Sequence, residues 1–353
     1  MFRSAAFFVL VLTACGNPQV VALTDQNDAG QQLALDGGDD QQDAGQQQID
    51  AGTPDAGRGP PYPIVLSHGF FGFDSFAGLD FLTYYFEVKD DLAMHGELEV
   101  FTPTVDPFND SATRSLQLER QIEQILQQTG AAKVNVIAHS QGGLDTRLVA
   151  NRRPELIASV ITVSTPHRGT PVSDLVSRGL SDPQARSAVD AIVNLAASRL
   201  WSTATADSSI TAALAQFETS RMTAFNTQVT DAPGVAYFSV AGRSALRRSA
   251  DLCNASDGTR PPFIRSYDDT LDPINTMLSA TQAIISPNAF DPVSNDGLVP
   301  VESAKWGTFL GCIPADHLDE IGQIGGQSPG LGNDWRHKPF YLSLVRFLRA
   351  RGY

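Results

Sequence analysis

The residues best suited to chemistry lie at 134–143, VNVIAHSQGG. A run dense in β-branched side chains stops at His139-Ser140-Gln141-Gly142-Gly143, and helical spacing resumes from Leu144. That order predicts a strand, a tight turn and a helix, with Ser140 on the turn. A serine pushed into the open there is a nucleophile for acyl transfer, and the turn forces the residues two places either side into close approach. Those places hold Ala138 and Gly142, whereas the usual motif has glycine at both. A serine here could instead serve only to cap the following helix.

A serine nucleophile needs a base, and histidine titrates near the required pH. Folds with this elbow run Ser, acid, His along the chain, which sets aside His68, His95 and His139. His167 follows the next strand too closely for an acid to precede it in a loop of its own. His337, in the charged stretch Trp335-Arg336-His337-Lys338, reads as a solvated surface residue. His317, in Ala315-Asp316-His317-Leu318-Asp319-Glu320, is the expected base. For the acid, Asp296 in Ser294-Asn295-Asp296-Gly297 comes first because turn chemistry surrounds it, with Asp291 and Asp268 behind it. An oxyanion needs main-chain donors. The Phe70 N–H, after His68-Gly69, and the Gln141 N–H at the elbow are the candidates, although His68-Gly69-Phe70 could also be a plain strand-to-loop turn.

Several elements must position these groups. Residues 63–67 read as a buried strand, 81–95 as a helix closed by Gly96, and 98–104 as a strand. A helix capped by Ser111 or Thr113 should run to Gln128 and stop at Gly130, and residues 157–164 form a further β-branched run. Strands alternating with helices predict an α/β fold with a mostly parallel central sheet and helices on both faces. Sites in such sheets lie at the carboxyl ends of the strands, where Phe70 and Ser140 fall.

Composition divides the chain of 353 residues. Residues 1–15 carry one cation, a short apolar run and Leu-Thr-Ala-Cys, the pattern of an export signal ending at a lipid-bearing cysteine, Cys15. An ordinary signal peptide with an incidental Cys15 is the alternative. Residues 16–59 hold eight aspartates against one arginine and repeat Asp-Ala-Gly, so they read as an acidic disordered tether. Residues 60–353 suit one catalytic domain. The net charge of −14 and the lack of a basic stripe argue against nucleic acid as a partner. The expectation is an exported monomer, held by its lipid at the outer membrane or cell surface, or else secreted.

The segments Tyr62-Pro63-Ile64-Val65-Leu66, His68-Gly69, His139-Ser140-Gln141-Gly142-Gly143-Leu144 and Ser164-Thr165-Pro166-His167-Arg168-Gly169 follow one another in order. With Asn295-Asp296-Gly297-Leu298-Val299 and His317-Leu318-Asp319-Glu320-Ile321 added, the chain resembles the bacterial true lipases, the triacylglycerol lipases typified by Pseudomonas and Burkholderia. The resemblance implies an α/β-hydrolase fold and a serine ester hydrolase acting on a lipid or ester substrate, first of all a triacylglycerol lipase. The alternatives are an esterase or phospholipase on the same machinery, or a non-catalytic surface lipoprotein that keeps the fold for binding. It implies Ser140 as nucleophile, Asp296 as acid and His317 as base, with Phe70 and Gln141 as the oxyanion hole. It further implies a structural calcium ion held by Asp319 and Asp272, with main-chain oxygens near Gln323 and Gln327, and it raises a dedicated folding helper as a partner. Asp319 could otherwise be a carboxylate favoured at a helix start. With Cys15 given to lipid, Cys253 and Cys312 are left to form a disulfide, the alternative being two free thiols. Residues 170–230, long and helical in spacing, would be a lid insertion or a plain helical cover over the sheet.

Overall fold

The computed structural model describes residues 57–70, 84–179, 182–197, 213–244, 253, 260–288, 292–323, 326, 329–330 and 332–353. Cys15, the tether up to residue 56, Asp291 and Gln327 lie outside them.

Among the described residues six strands make one sheet: β1 (Ile64–Ser67), β2 (Val100–Phe101), β3 (Val134–His139), β4 (Ile157–Val163), β5 (Ala236–Gly242) and β6 (Thr308–Ile313). Their order across the sheet is β2-β1-β3-β4-β5-β6, and every pairing is parallel. β1 and β3 are buried along their whole length, which is why they read as near-continuous apolar runs. Alternation along them divides the core. Ile64, Leu66 and Ile137 face α1 (Val88–Met94) and the last helix, whereas Val65, Val134 and Val136 face α2 (Ser111–Thr129) and α3 (Gln141–Arg152). Helices thus cover both faces, as a parallel sheet requires.

Local chemistry sets most boundaries. α2 is capped by Asp110, whose carboxylate accepts the Thr113 N–H at 2.7 Å, rather than by Ser111 or Thr113. It ends at Gly130 with φ 65°, a left-handed cap that glycine adopts without cost. The strand expected over 98–104 shrinks to β2, because Pro103 supplies no N–H for an edge ladder. The helix expected over 81–95 begins only at Val88. Tyr84 and Tyr85 ahead of it send their hydroxyls under the sheet, to His139 Nδ1 at 2.6 Å and to the Ser67 carbonyl at 2.7 Å.

Between β4 and β5 lie α4 (Pro171–Ser177), α5 (Pro183–Ala197) and α6 (Thr219–Gln228), the described part of the region read as a lid or cover. The last helix, α7 (His337–Arg349), packs Val345 and Leu348 against the sheet. His337, expected at the surface, is instead 5% exposed and donates from Nε2 to the Phe86 carbonyl at 2.8 Å. The charged neighbours that suggested solvent face outward, while position 337 itself begins the buried side of α7.

Candidate active site

β3 delivers Ser140 to the carboxyl edge of the sheet with φ 55° and ψ −130°, a backbone that L residues rarely adopt. Its side chain makes no cap bond to α3, so helix capping does not account for it. The turn closes because Gly142 has no side chain: a Cβ there would lie 2.5 Å from the Ser67 carbonyl oxygen and 2.7 Å from that of His68. Ala138 faces the well-packed core between Ser67 and Thr162, where a methyl group is accommodated.

The loop after β6 brings His317 over this turn. Its Nε2 lies 3.0 Å from Ser140 Oγ, and its Nδ1 donates to Asp296 Oδ2 at 2.7 Å. The His317 N–H also donates to the Asp296 carbonyl at 2.9 Å, so backbone and side chain dock together. Asp296 is fully buried, and its second oxygen accepts the N–H groups of Leu298 at 2.8 Å and Val299 at 2.7 Å. An imidazole held in this way can take a proton from Ser140 while its other nitrogen stays protonated. Asp268, the lesser candidate for the acid, is paired with Arg260 instead.

A second layer, missed in the sequence, backs the first. The His139 ring lies 4.5 Å from that of His317, centroid to centroid, and its Nε2 is 2.8 Å from Glu320 Oε2. Glu320 also accepts the Ser164 hydroxyl at 2.6 Å. Burial first, and the Asp296 charge second, push the Glu320 carboxyl well above its ordinary range. Placing His139 before the acid in chain order removed it as a base but could not show that it would face His317 across the sheet.

Phe70 lines a cavity of about 80 Å³ above Ser140, with Val172, Leu214, Phe217, Leu298 and Ile321 completing an apolar wall. Gln141 opens α3, where first-turn N–H groups have no partner within the helix. Its side chain turns away to donate to the Asn109 carbonyl at 2.9 Å.

Asp272 and Asp319 come together, and Asp316, which the sequence reading passed over, joins them, with ligand oxygens within 4.8 Å of one another. Both Asp272 carboxylate oxygens are buried with no hydrogen-bond partner. Burial and then the Asp316 charge push Asp272 up to about 8, and the same two causes in the same order raise Asp319 to about 8. Orphaned, crowded carboxylates in a buried setting fit a hard cation with oxygen ligands. Gln323 lies at the end of the same loop, its N–H bonded to the Leu318 carbonyl at 2.9 Å. Cys253 and Cys312 are joined as a disulfide.

The alpha/beta hydrolase fold family matches residues 62–203. A triacylglycerol lipase of Pseudarthrobacter phenanthrenivorans is 32% identical over 291 residues, spanning 75% of this chain and 90% of that protein. One from Burkholderia plantarii is 32% identical over 291 residues, spanning 75% and 80%. The fold is shared with the mature lipase BlEst2 of Bacillus licheniformis, at 20% identity and a TM-score of 0.52 over 82% of this chain and 94% of that one. With that overlap in sequence and fold, the chain belongs to the bacterial lipase family, carboxylic ester hydrolases built on the α/β-hydrolase fold.

Proposed function

We propose that this chain is an exported triacylglycerol lipase in which Ser140, His317 and Asp296 carry out ester cleavage. The observation that supports it is the pair of bonds from one imidazole, 3.0 Å to the Ser140 hydroxyl and 2.7 Å to the Asp296 carboxylate. Ser140 Oγ attacks the ester carbonyl as His317 Nε2 accepts its proton. Asp296 holds the ring and offsets the imidazolium charge, and the Phe70 and Gln141 N–H groups receive the oxyanion. The glycerol oxygen then leaves with the proton from His317. Water, activated by the same nitrogen, releases the fatty acid from Ser140.

Asp272, Asp316 and Asp319 would hold a calcium ion whose part is to tie down the loop bearing His317. The apolar wall of Phe70, Val172, Leu214 and Phe217 suits an acyl chain, and the region at 170–230, of which α4, α5 and α6 are described, would act as its lid. Cys15 would carry the lipid, and the acidic segment after it would keep the catalytic domain clear of the membrane.

The test compares emulsified long-chain triacylglycerol with soluble short-chain esters and phospholipid vesicles. Cleavage of the emulsion, lost by a factor on the order of 10³ or more in Ser140→Ala, is the expected result. A preference confined to soluble esters or to phospholipid would overturn the triacylglycerol assignment, and an active Ser140→Ala would overturn the site.

A further inference from the structure

Arg114 lies in the first turn of α2, outside the catalytic residues, and both it and its partner Asp145 are 0% exposed. A fully buried ion pair is a poor means of gaining stability, since well-packed apolar side chains in its place do as well or better. What this pair touches suggests another role. Arg114 Nε donates to Asp145 Oδ2 at 2.7 Å, one Nη donates to the Asp106 carbonyl at 2.8 Å, and the other donates to the His68 carbonyl at 2.7 Å. Asp145 stands one helical turn beyond Gln141 on α3, and His68 stands two residues before Phe70. A single planar guanidinium therefore ties together the two segments that carry the proposed oxyanion donors, and its fork fixes direction as well as distance.

His68 passes this constraint on. Its Nε2 accepts the Val105 N–H at 3.1 Å, so the ring proton sits on Nδ1, which donates to the Gly69 carbonyl at 2.9 Å. The Gly69 carbonyl and the Phe70 N–H belong to one planar peptide group, so holding the first aims the second. There is no slack on the facing side, because a Cβ on Gly69 would lie 2.6 Å from Ser140 Cβ.

We infer that Arg114, anchored by Asp145 and acting through His68, is a positioning residue that sets the direction and spacing of the Phe70 and Gln141 N–H groups. The inference rests on those two groups being the oxyanion hole. Arg114 touches no substrate atom. Its contribution appears only when negative charge develops on the carbonyl oxygen.

The experiment pairs an ester with its thiono analogue, in which sulfur replaces the carbonyl oxygen and accepts N–H bonds poorly. Wild type should favour the oxygen ester strongly in kcat/KM. Arg114→Lys keeps the charge but loses the fork. It should lower kcat on the oxygen ester by roughly 10- to 100-fold, somewhat less than outright loss of a donor, with KM nearly unchanged. It should hardly change turnover of the thiono ester, so the preference collapses. Asp145→Asn, close in shape, should move the preference the same way by roughly 3- to 10-fold, and it carries the test if Arg114→Lys fails to fold. A fall equal on both esters, or no fall in either variant, would mean a structural role and would overturn the inference alone. A wild-type preference near unity would overturn it together with the oxyanion-hole assignment beneath it.

Discussion

At Ser140 the backbone is held in an unfavourable conformation by its neighbours. Its N–H donates to the Val163 carbonyl at 2.9 Å, and its carbonyl accepts the Thr165 hydroxyl at 2.7 Å, so both adjoining peptide groups are fixed. A non-glycine residue at φ 55° and ψ −130° stores about 1–3 kcal/mol. Ser140→Ala removes the hydroxyl and keeps the Cβ, whereas Ser140→Gly removes both. The glycine variant is therefore expected to be the more stable of the two by about 1–2 kcal/mol, despite the usual entropic cost of glycine. Denaturant unfolding of the two variants measures this directly. Equal midpoints, or a lower one for glycine, would mean that no strain is stored. This residue was legible in the sequence because its requirements are local: a strand, a turn and Gly142 within a few positions. Arg114 and Asp145 were not, because they are 31 positions apart and each looks like an ordinary helix charge until the fold removes both from solvent.

Among the elements, those specified by dense local patterns read well. β1, β3, β4, α2 and the elbow helix α3 all fall within a few residues of where periodicity puts them. Elements shaped by tertiary contact did not. α1 is shortened by the tyrosine pair that reaches across to β1 and β3, and His337 is drawn inside by the docking of α7. Among the described residues β6 lies at the sheet edge, paired with β5, and it leads into the loop bearing His317. The Cys253–Cys312 link fastens this edge strand to a segment 59 positions away. Opening a loop of that length is expected to cost about 2–4 kcal/mol, chiefly by freeing the unfolded chain. The double variant Cys253→Ser, Cys312→Ser should show this loss in its urea midpoint. A change within about 0.5 kcal/mol, the size of an ordinary surface substitution, would show that β6 needs no fastening.

At the scale of the folded domain, buried negative charge gathers around the loop bearing His317. Asp272, Asp316, Asp319, Asp296 and Glu320 are all buried there, and Arg243 opposes Asp272. Asp272 and Asp319 are raised from 3.8 to about 8 in the folded chain. For a raised group, the stabilising contribution is complete below the unfolded value and is lost as pH climbs through the folded one. Metal-free protein should therefore lose stability between about pH 4 and pH 8, as these crowded carboxylates are forced to ionise in a buried setting. Calcium held by Asp272, Asp316 and Asp319, as proposed, would supply a counter-charge and would have to displace the protons to bind, so its stabilising effect should grow over the same range. The measurement is the Tm of the protein in excess calcium and in EDTA, taken at several pH values. The gap between the two curves should widen from about pH 5 to about pH 8 and then level off. A gap that is absent, or that stays constant with pH, would mean that these three aspartates do not share a cation and that their crowding is balanced by protons alone.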